Sequence, residues 1–74
     1  MPDTLRAFVN ARAVEVSSGA TALDAVRAWS ADAAREVAEG VRVITDSRGL
    51  PLDASTPVQA GSIYRLIPRR DSES

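Results

Sequence analysis

Few residues of this chain carry a group that could do chemistry, and the missing types exclude more than the present ones suggest. Ser17 and Ser18 precede Gly19, a spacing that would suit a nucleophile or a phosphate loop. A serine nucleophile needs an adjacent base, however, and the 74 residues include neither histidine nor lysine, while Gly19 stands alone instead of in a glycine-rich fingerprint. The three residues read as a turn. Glu36 and Glu39 lie at helical spacing, but a solvated helix face is a far commoner home for such a pair than an acid/base site. Asp46, Ser47, Arg48 and Gly49 hold too few carboxylates for a calcium loop and suit an Asx-stabilised turn. Without cysteine there is no thiolate, disulfide or sulfur-ligated metal. Without histidine the commonest nitrogen ligand for zinc, iron or copper is missing too. The chain is therefore expected to be a non-enzyme with no catalytic residue, metal site or cofactor.

All nine basic residues are arginines, scattered from Arg6 to Arg70, and against ten acids they leave a formal charge of −1. That balance exerts no long-range pull on phosphate, which disfavours nucleic-acid binding. At 74 residues there is room for one domain only, near the lower size at which a single apolar core holds a fold. Hydrophobic residues at 45% and charged residues at 26% fit a globular chain, and no apolar run approaches the ~20 residues that span a bilayer. Met1 and Pro2 lead directly into Asp3 and Thr4 with neither a basic nor a continuous apolar leader, so a cytoplasmic protein without membrane association is expected.

Any surface that functions must be positioned by a small set of elements. Leu5 to Val9 and Ala13 to Val16 read as two strands, joined through Asn10 and Ala11 in a tight turn. Ser17, Ser18 and Gly19 break the second strand, and Thr21 is placed to cap a helix from Ala22, its hydroxyl taking the backbone N–H near Asp24. Ala22, Leu23, Val26, Trp29 and Ala33 recur at spacings of three and four, one apolar face on which Trp29 reads as a core anchor. Ser30-Ala31-Asp32 resembles a second cap, which favours two short helices over one running to Glu39, and Gly40 suits a left-handed C-cap. Val41 to Thr45 is a third strand by composition, and Leu50 to Asp53 a short fourth one that Pro51 confines to an edge. A loop from Ala54 to Gly61 leads to the last strand, Ser62 to Ile67.

Strand, strand, helical region, strand, short strand, strand is an α+β order, and several pieces of it resemble the β-grasp (ubiquitin-like) proteins of the ThiS/MoaD group. Val9-Asn10-Ala11-Arg12 stands where that family has a short strand ending in an Asn-Gly-type turn. Ser18-Gly19-Ala20-Thr21-Ala22-Leu23-Asp24-Ala25 looks like its turn and helix start. Gly61-Ser62-Ile63 corresponds to the Gly-Asp that leads into its last strand. The resemblance covers roughly residues 5 to 67 and implies a mixed sheet of four to five strands packed on one helical region; residues 1–70 are expected to form the domain and Asp71 to Ser74, polar and terminal, a disordered tail. Ala20 to Asp24 is equally similar to TGS domains, a β-grasp branch found in nucleotide- and RNA-linked proteins.

Sulfur carriers of the ThiS/MoaD group end in a flexible Gly-Gly that an E1-like enzyme adenylates. Here the matching stretch is Pro68-Arg69-Arg70-Asp71-Ser72-Glu73-Ser74, with no glycine after Gly61. Proline fixes φ and arginine is bulky, so this stretch suits a narrow catalytic channel poorly. The expectation is thus a non-catalytic binding or adaptor protein, with a sulfur carrier and a TGS-like module as alternatives. Matching the family's last strand turns Tyr64 and Leu66 inward and Ile63, Arg65 and Ile67 outward, with Arg6 and Phe8 outside on the first strand. In β-grasp folds those two strands are neighbours, so Phe8, Ile63 and Ile67 would form an apolar patch rimmed by Arg6 and Arg65. An E1-like or sulfur-transfer enzyme, another protein partner or a second copy of the chain would dock there. The opposite parity would instead put Phe8, Ile63 and Ile67 in the core and Tyr64 outside, because a one-residue slip moves every side chain of a strand to the other face.

Overall fold

The computed structural model describes residues 3–69; the expected tail, 71–74, lies outside them. The elements run β1 (Thr4–Val9), β2 (Arg12–Ser17), α1 (Ala22–Trp29), α2 (Ala31–Ala38), β3 (Arg42–Thr45) and β4 (Ser62–Pro68), with the sheet in the order β2-β1-β4-β3. β1 pairs antiparallel with β2 and parallel with β4, and β4 pairs antiparallel with β3, so the sheet is mixed and its first and last strands in sequence are central neighbours.

The β1–β2 turn works as its residues suggest. Asn10 and Ala11 take φ of 51° and 69°, the left-handed pair that matches the twist of a two-residue hairpin. Asn10 also ties the turn to β4, accepting the Leu66 N–H on Oδ1 at 3.0 Å. Ala11 carries a Cβ where glycine would have none. Ala11→Gly is expected to raise stability by about 1 kcal/mol, read as a rise of about 5 °C in Tm; an unchanged or lowered Tm would show that the turn holds Ala11 without strain.

Thr21 and Asp24 form a complete capping box: the Asp24 N–H donates to Thr21 Oγ1 at 3.4 Å and the Thr21 N–H donates to Asp24 Oδ2 at 3.0 Å. Ser30, extended at φ −162°, ends α1 by donating its N–H to the Val26 carbonyl and starts α2 by accepting the Ala33 N–H on Oγ at 3.2 Å. One serine thus breaks the helical region in two. Gly40, at φ 83°, closes α2 with the bond pair of a Schellman motif, Gly40 N–H to Val37 and Val41 N–H to Glu36.

The helices cover one face of the sheet, and the core lies between. Among the described residues, half of the twelve buried apolar ones are alanines, which let the helices approach the sheet closely, and the largest fully buried side chains are Ile44, Val9, Val26 and Thr45. Two expectations need correction. Trp29 is only half-buried, packed against the edge of this cluster and not at its centre. Leu50 to Asp53 forms no strand: Pro51 makes a single bridge to Thr45, and Leu52 donates its N–H to the Ile44 carbonyl at 2.8 Å. A ladder stops there because proline offers no donor for the next rung.

The 46–49 turn is held by Asp46, which accepts the Arg48 N–H at 2.8 Å and the Leu50 N–H at 3.0 Å on Oδ1. The Leu50 N–H first, and the Arg48 N–H and guanidinium after it, hold this carboxyl below its ordinary value of 3.8, against the opposing effect of partial burial. A depressed folded-state pKa stabilises the turn at pH above 3.8 and loses that contribution as pH falls through the lower folded value. An NMR titration of the Asp46 side chain should give a midpoint under 3.8, with the Arg48 and Leu50 amides titrating in step; a midpoint at or above 3.8 would refute the turn geometry.

Candidate partner-binding face

The face of the sheet away from the helices is where the sequence placed a docking surface, and the parity of β4 is now visible. Tyr64 is 3% exposed and Leu66 half-buried toward the helices, whereas Ile63 and Ile67 are 48% and 44% exposed on the opposite side with Arg65 between them. In β1, Ala7 and Val9 are fully buried, Arg6 is exposed and Phe8 half-buried. The alternative parity, with the isoleucines in the core, is not the one adopted. Alternation fixes this outcome: once Tyr64 fills the space under the helices, its neighbours along the strand must face out.

Register decides which of these residues meet. Phe8 stands opposite Ile63 across the β1–β4 ladder and opposite Ala13 across the β1–β2 ladder, so these three form one row. Ile67 is not part of that row. It lies four residues farther along β4, about 13 Å at the rise of a strand, and pairs with Val43 of β3. The two apolar sites are therefore bridged by Arg65, whose methylene stem can cover apolar surface while its guanidinium stays in water. Arg6 lies at the far end from Ile67, level with Gly61, whose N–H donates to the Arg6 carbonyl at 2.8 Å. The surface is thus an elongated strip and not a round patch.

Three residues that sequence reasoning did not assign extend the strip. Val43, Pro51 and Arg69 line, with Ile67 and Pro68, a shallow, mostly apolar depression of ≈ 600 Å³ beside β3. Val43 could have been found from strand parity, since it shares the outward phase of its strand. Pro51 could not, because its position depends on the 46–49 turn folding back along β3. Among the described residues, the ion pairs are Arg27–Asp24, Arg35–Asp32, Arg42–Glu36 and Arg48–Asp46, none of which involves the strip. Arg6 and Arg65 thus face solvent, with Glu15 the cross-strand partner of Arg6, while the Arg69 guanidinium lies beside Gly40 at the end of α2. A chain that is slightly acidic overall presents a basic-rimmed face here.

Ser17, expected in the turn, is the last residue of β2, and Ser18 lies in the turn after it; among the described residues no cluster of three metal-ligating side chains occurs. No helix among the described residues is long and apolar enough to cross a membrane. No protein-family model matches the chain, and comparison with curated proteins and with solved structures gives no match either.

Proposed function

We propose that this chain is a β-grasp domain of non-catalytic, adaptor type, which engages a protein partner through the outer face of its sheet. The fold reading is supported by the adjacent parallel first and last strands and by helices that cover one face only. The observation that carries the functional reading is the joint exposure of Ile63 and Ile67 on a central strand, where a fold stabilised by its own helices gains nothing from them. Apolar area of this kind, rimmed by arginines outside any ion pair, resembles the centre and rim of a protein interface.

Charge defines the partner's chemistry: a protein surface with an apolar ridge flanked by carboxylates would meet Phe8, Ile63, Ile67 and Val43 with Arg6 and Arg65 at its rim. An E1-like or sulfur-transfer enzyme would satisfy that description, and so would an unrelated protein. Pro68 closes β4 opposite Arg42, and Arg69 donates its N–H to the Val41 carbonyl at 2.9 Å, so the chain is still tied to the sheet here, which favours docking over delivery of a flexible acyl arm. The test is partner affinity before and after the two isoleucines are changed, with the fold monitored independently.

A further inference from the structure

β3 has four residues and β4 seven, so the first part of β4 has no strand beside it on the β3 side. Hydrogen-bond parity says which groups that leaves free. The Arg69 N–H bonds the Val41 carbonyl, and stepping by two along the antiparallel ladder makes Val43–Ile67 and Thr45–Arg65 the bonded pairs. Ile63 shares the phase of Arg65 and Ile67 and would bond Ser47 next, but the chain turns away at Asp46, whose N–H goes to the Leu50 carbonyl. On the opposite side Tyr64 makes the bonds to β1, its carbonyl accepting the Asn10 N–H at 3.0 Å. The Ile63 N–H and C=O therefore point together into the gap, and no group among the described residues bonds them there.

A slot of ≈ 320 Å³ opens at this gap, bordered by Asp46 and Ser47 where β3 ends and by Leu52 and Pro57 of the following segment. Tyr64 lines it too. Its side chain is 3% exposed, and its hydroxyl makes no hydrogen bond among the described residues, whereas a buried hydroxyl is ordinarily paired. Asp46 offers the slot little free charge, since its Oδ1 accepts the Arg48 and Leu50 N–H groups and its Oδ2 the Arg48 guanidinium. A donor and an acceptor side by side on one extended residue select among ligands. A carboxylate has no donor for the Ile63 carbonyl, and an ammonium has no acceptor for its N–H; a primary carboxamide has both in one plane. We infer that the slot is a binding site for an uncharged primary carboxamide carried on apolar surface. The carboxamide pairs with both backbone groups of Ile63, its second N–H meets the Tyr64 hydroxyl, and the apolar part lies against Leu52 and Pro57.

The probe is benzamide, titrated into the isotope-labelled full chain by NMR. The Ile63 amide proton should move downfield and saturate with a Kd of about 1 mM, ordinary for so small a ligand. Benzoate, which lacks a donor, and N,N-dimethylbenzamide, which lacks both N–H groups, keep the ring and should each bind roughly fivefold more weakly or worse. Tyr64→Phe keeps the ring in the core and removes the hydroxyl, so the fold should persist while benzamide affinity drops roughly fivefold. If that variant fails to fold, the three ligands decide the matter with the unaltered chain. A peptide arm, acetyl-Ala-Gln-Ala-methylamide against its glutamate counterpart, distinguishes two sources of the group: glutamine binding tighter than benzamide assigns it to a partner protein's side chain, and weaker binding to a free small molecule. Equal binding of benzamide and its dimethyl analogue, an Ile63 amide that does not saturate, unchanged affinity in a folded Tyr64→Phe variant, or shifts centred away from Ser47, Ile63 and Tyr64 would overturn the inference.

Discussion

Ile44→Ala is expected to lower unfolding free energy by about 3 kcal/mol, the usual cost of emptying a fully buried aliphatic site. Ile44 is 1% exposed, sits on β3 opposite Leu66 and is among the largest side chains in a core where every second member is an alanine. Alanines contribute little apolar area each, so the few larger side chains carry a disproportionate share of burial. A domain of this length has a total stability of roughly 4–11 kcal/mol, and the substitution removes a large fraction of it. Urea unfolding should show a clearly lower midpoint at an unchanged slope, and thermal unfolding a fall of about 15 °C. A variant indistinguishable from the parent in both would mean that Ile44 is not at the centre of the core.

The Ile63→Thr/Ile67→Thr double variant should do the reverse, leaving the fold in place and weakening the proposed docking. Threonine keeps the branch at Cβ that a central strand favours but replaces exposed apolar surface with a hydroxyl. Stability should change by less than about 1 kcal/mol, since neither side chain is buried in the chain alone. In a docked complex both would be desolvated, and the loss of two such anchors is worth about 3 kcal/mol, or about a hundredfold in Kd. The two predictions have opposite signatures. A core substitution lowers stability and, with it, everything else; the face substitution lowers binding alone.

Local chemistry was the most legible part of the sequence. The Thr21–Asp24 box, the Ser30 break, the Asn10–Ala11 turn and the Asp46 turn are each decided within four residues, by hydrogen bonds the side chains make to nearby backbone. Strand ends shifted by a residue, with β4 running on to Pro68 and β3 starting at Arg42. Such ends depend on where a partner strand stops. What involves distant residues was less visible. Thr45, fully buried with its hydroxyl donating to the Arg65 carbonyl at 3.2 Å, looks like a surface residue until segment 50–52 folds along β3. Val58, 4% exposed in the long loop, enters the core because its N–H is tied to the Ala20 carbonyl at 2.9 Å, a bond across thirty-eight residues that no local pattern announces.

The candidate face divides in the same way. Outward parity of Ile63, Arg65 and Ile67 follows from alternation along one strand, and the structure bears it out. The shape of the face depends on register between strands. Phe8 reaches Ile63 but not Ile67, and Val43 takes the place beside Ile67 that a single patch would have given to Phe8.

The most direct measurement is the affinity of a purified partner, first captured on the immobilised chain, for the unaltered chain and for the double isoleucine variant, with Glu39→Arg on the helix side as a control. Docking through the outer face predicts a drop of about a hundredfold for the double variant at an unchanged urea midpoint, and no change for the control. Equal affinity for the double variant, or an equal loss from the helix-side control, would contradict it.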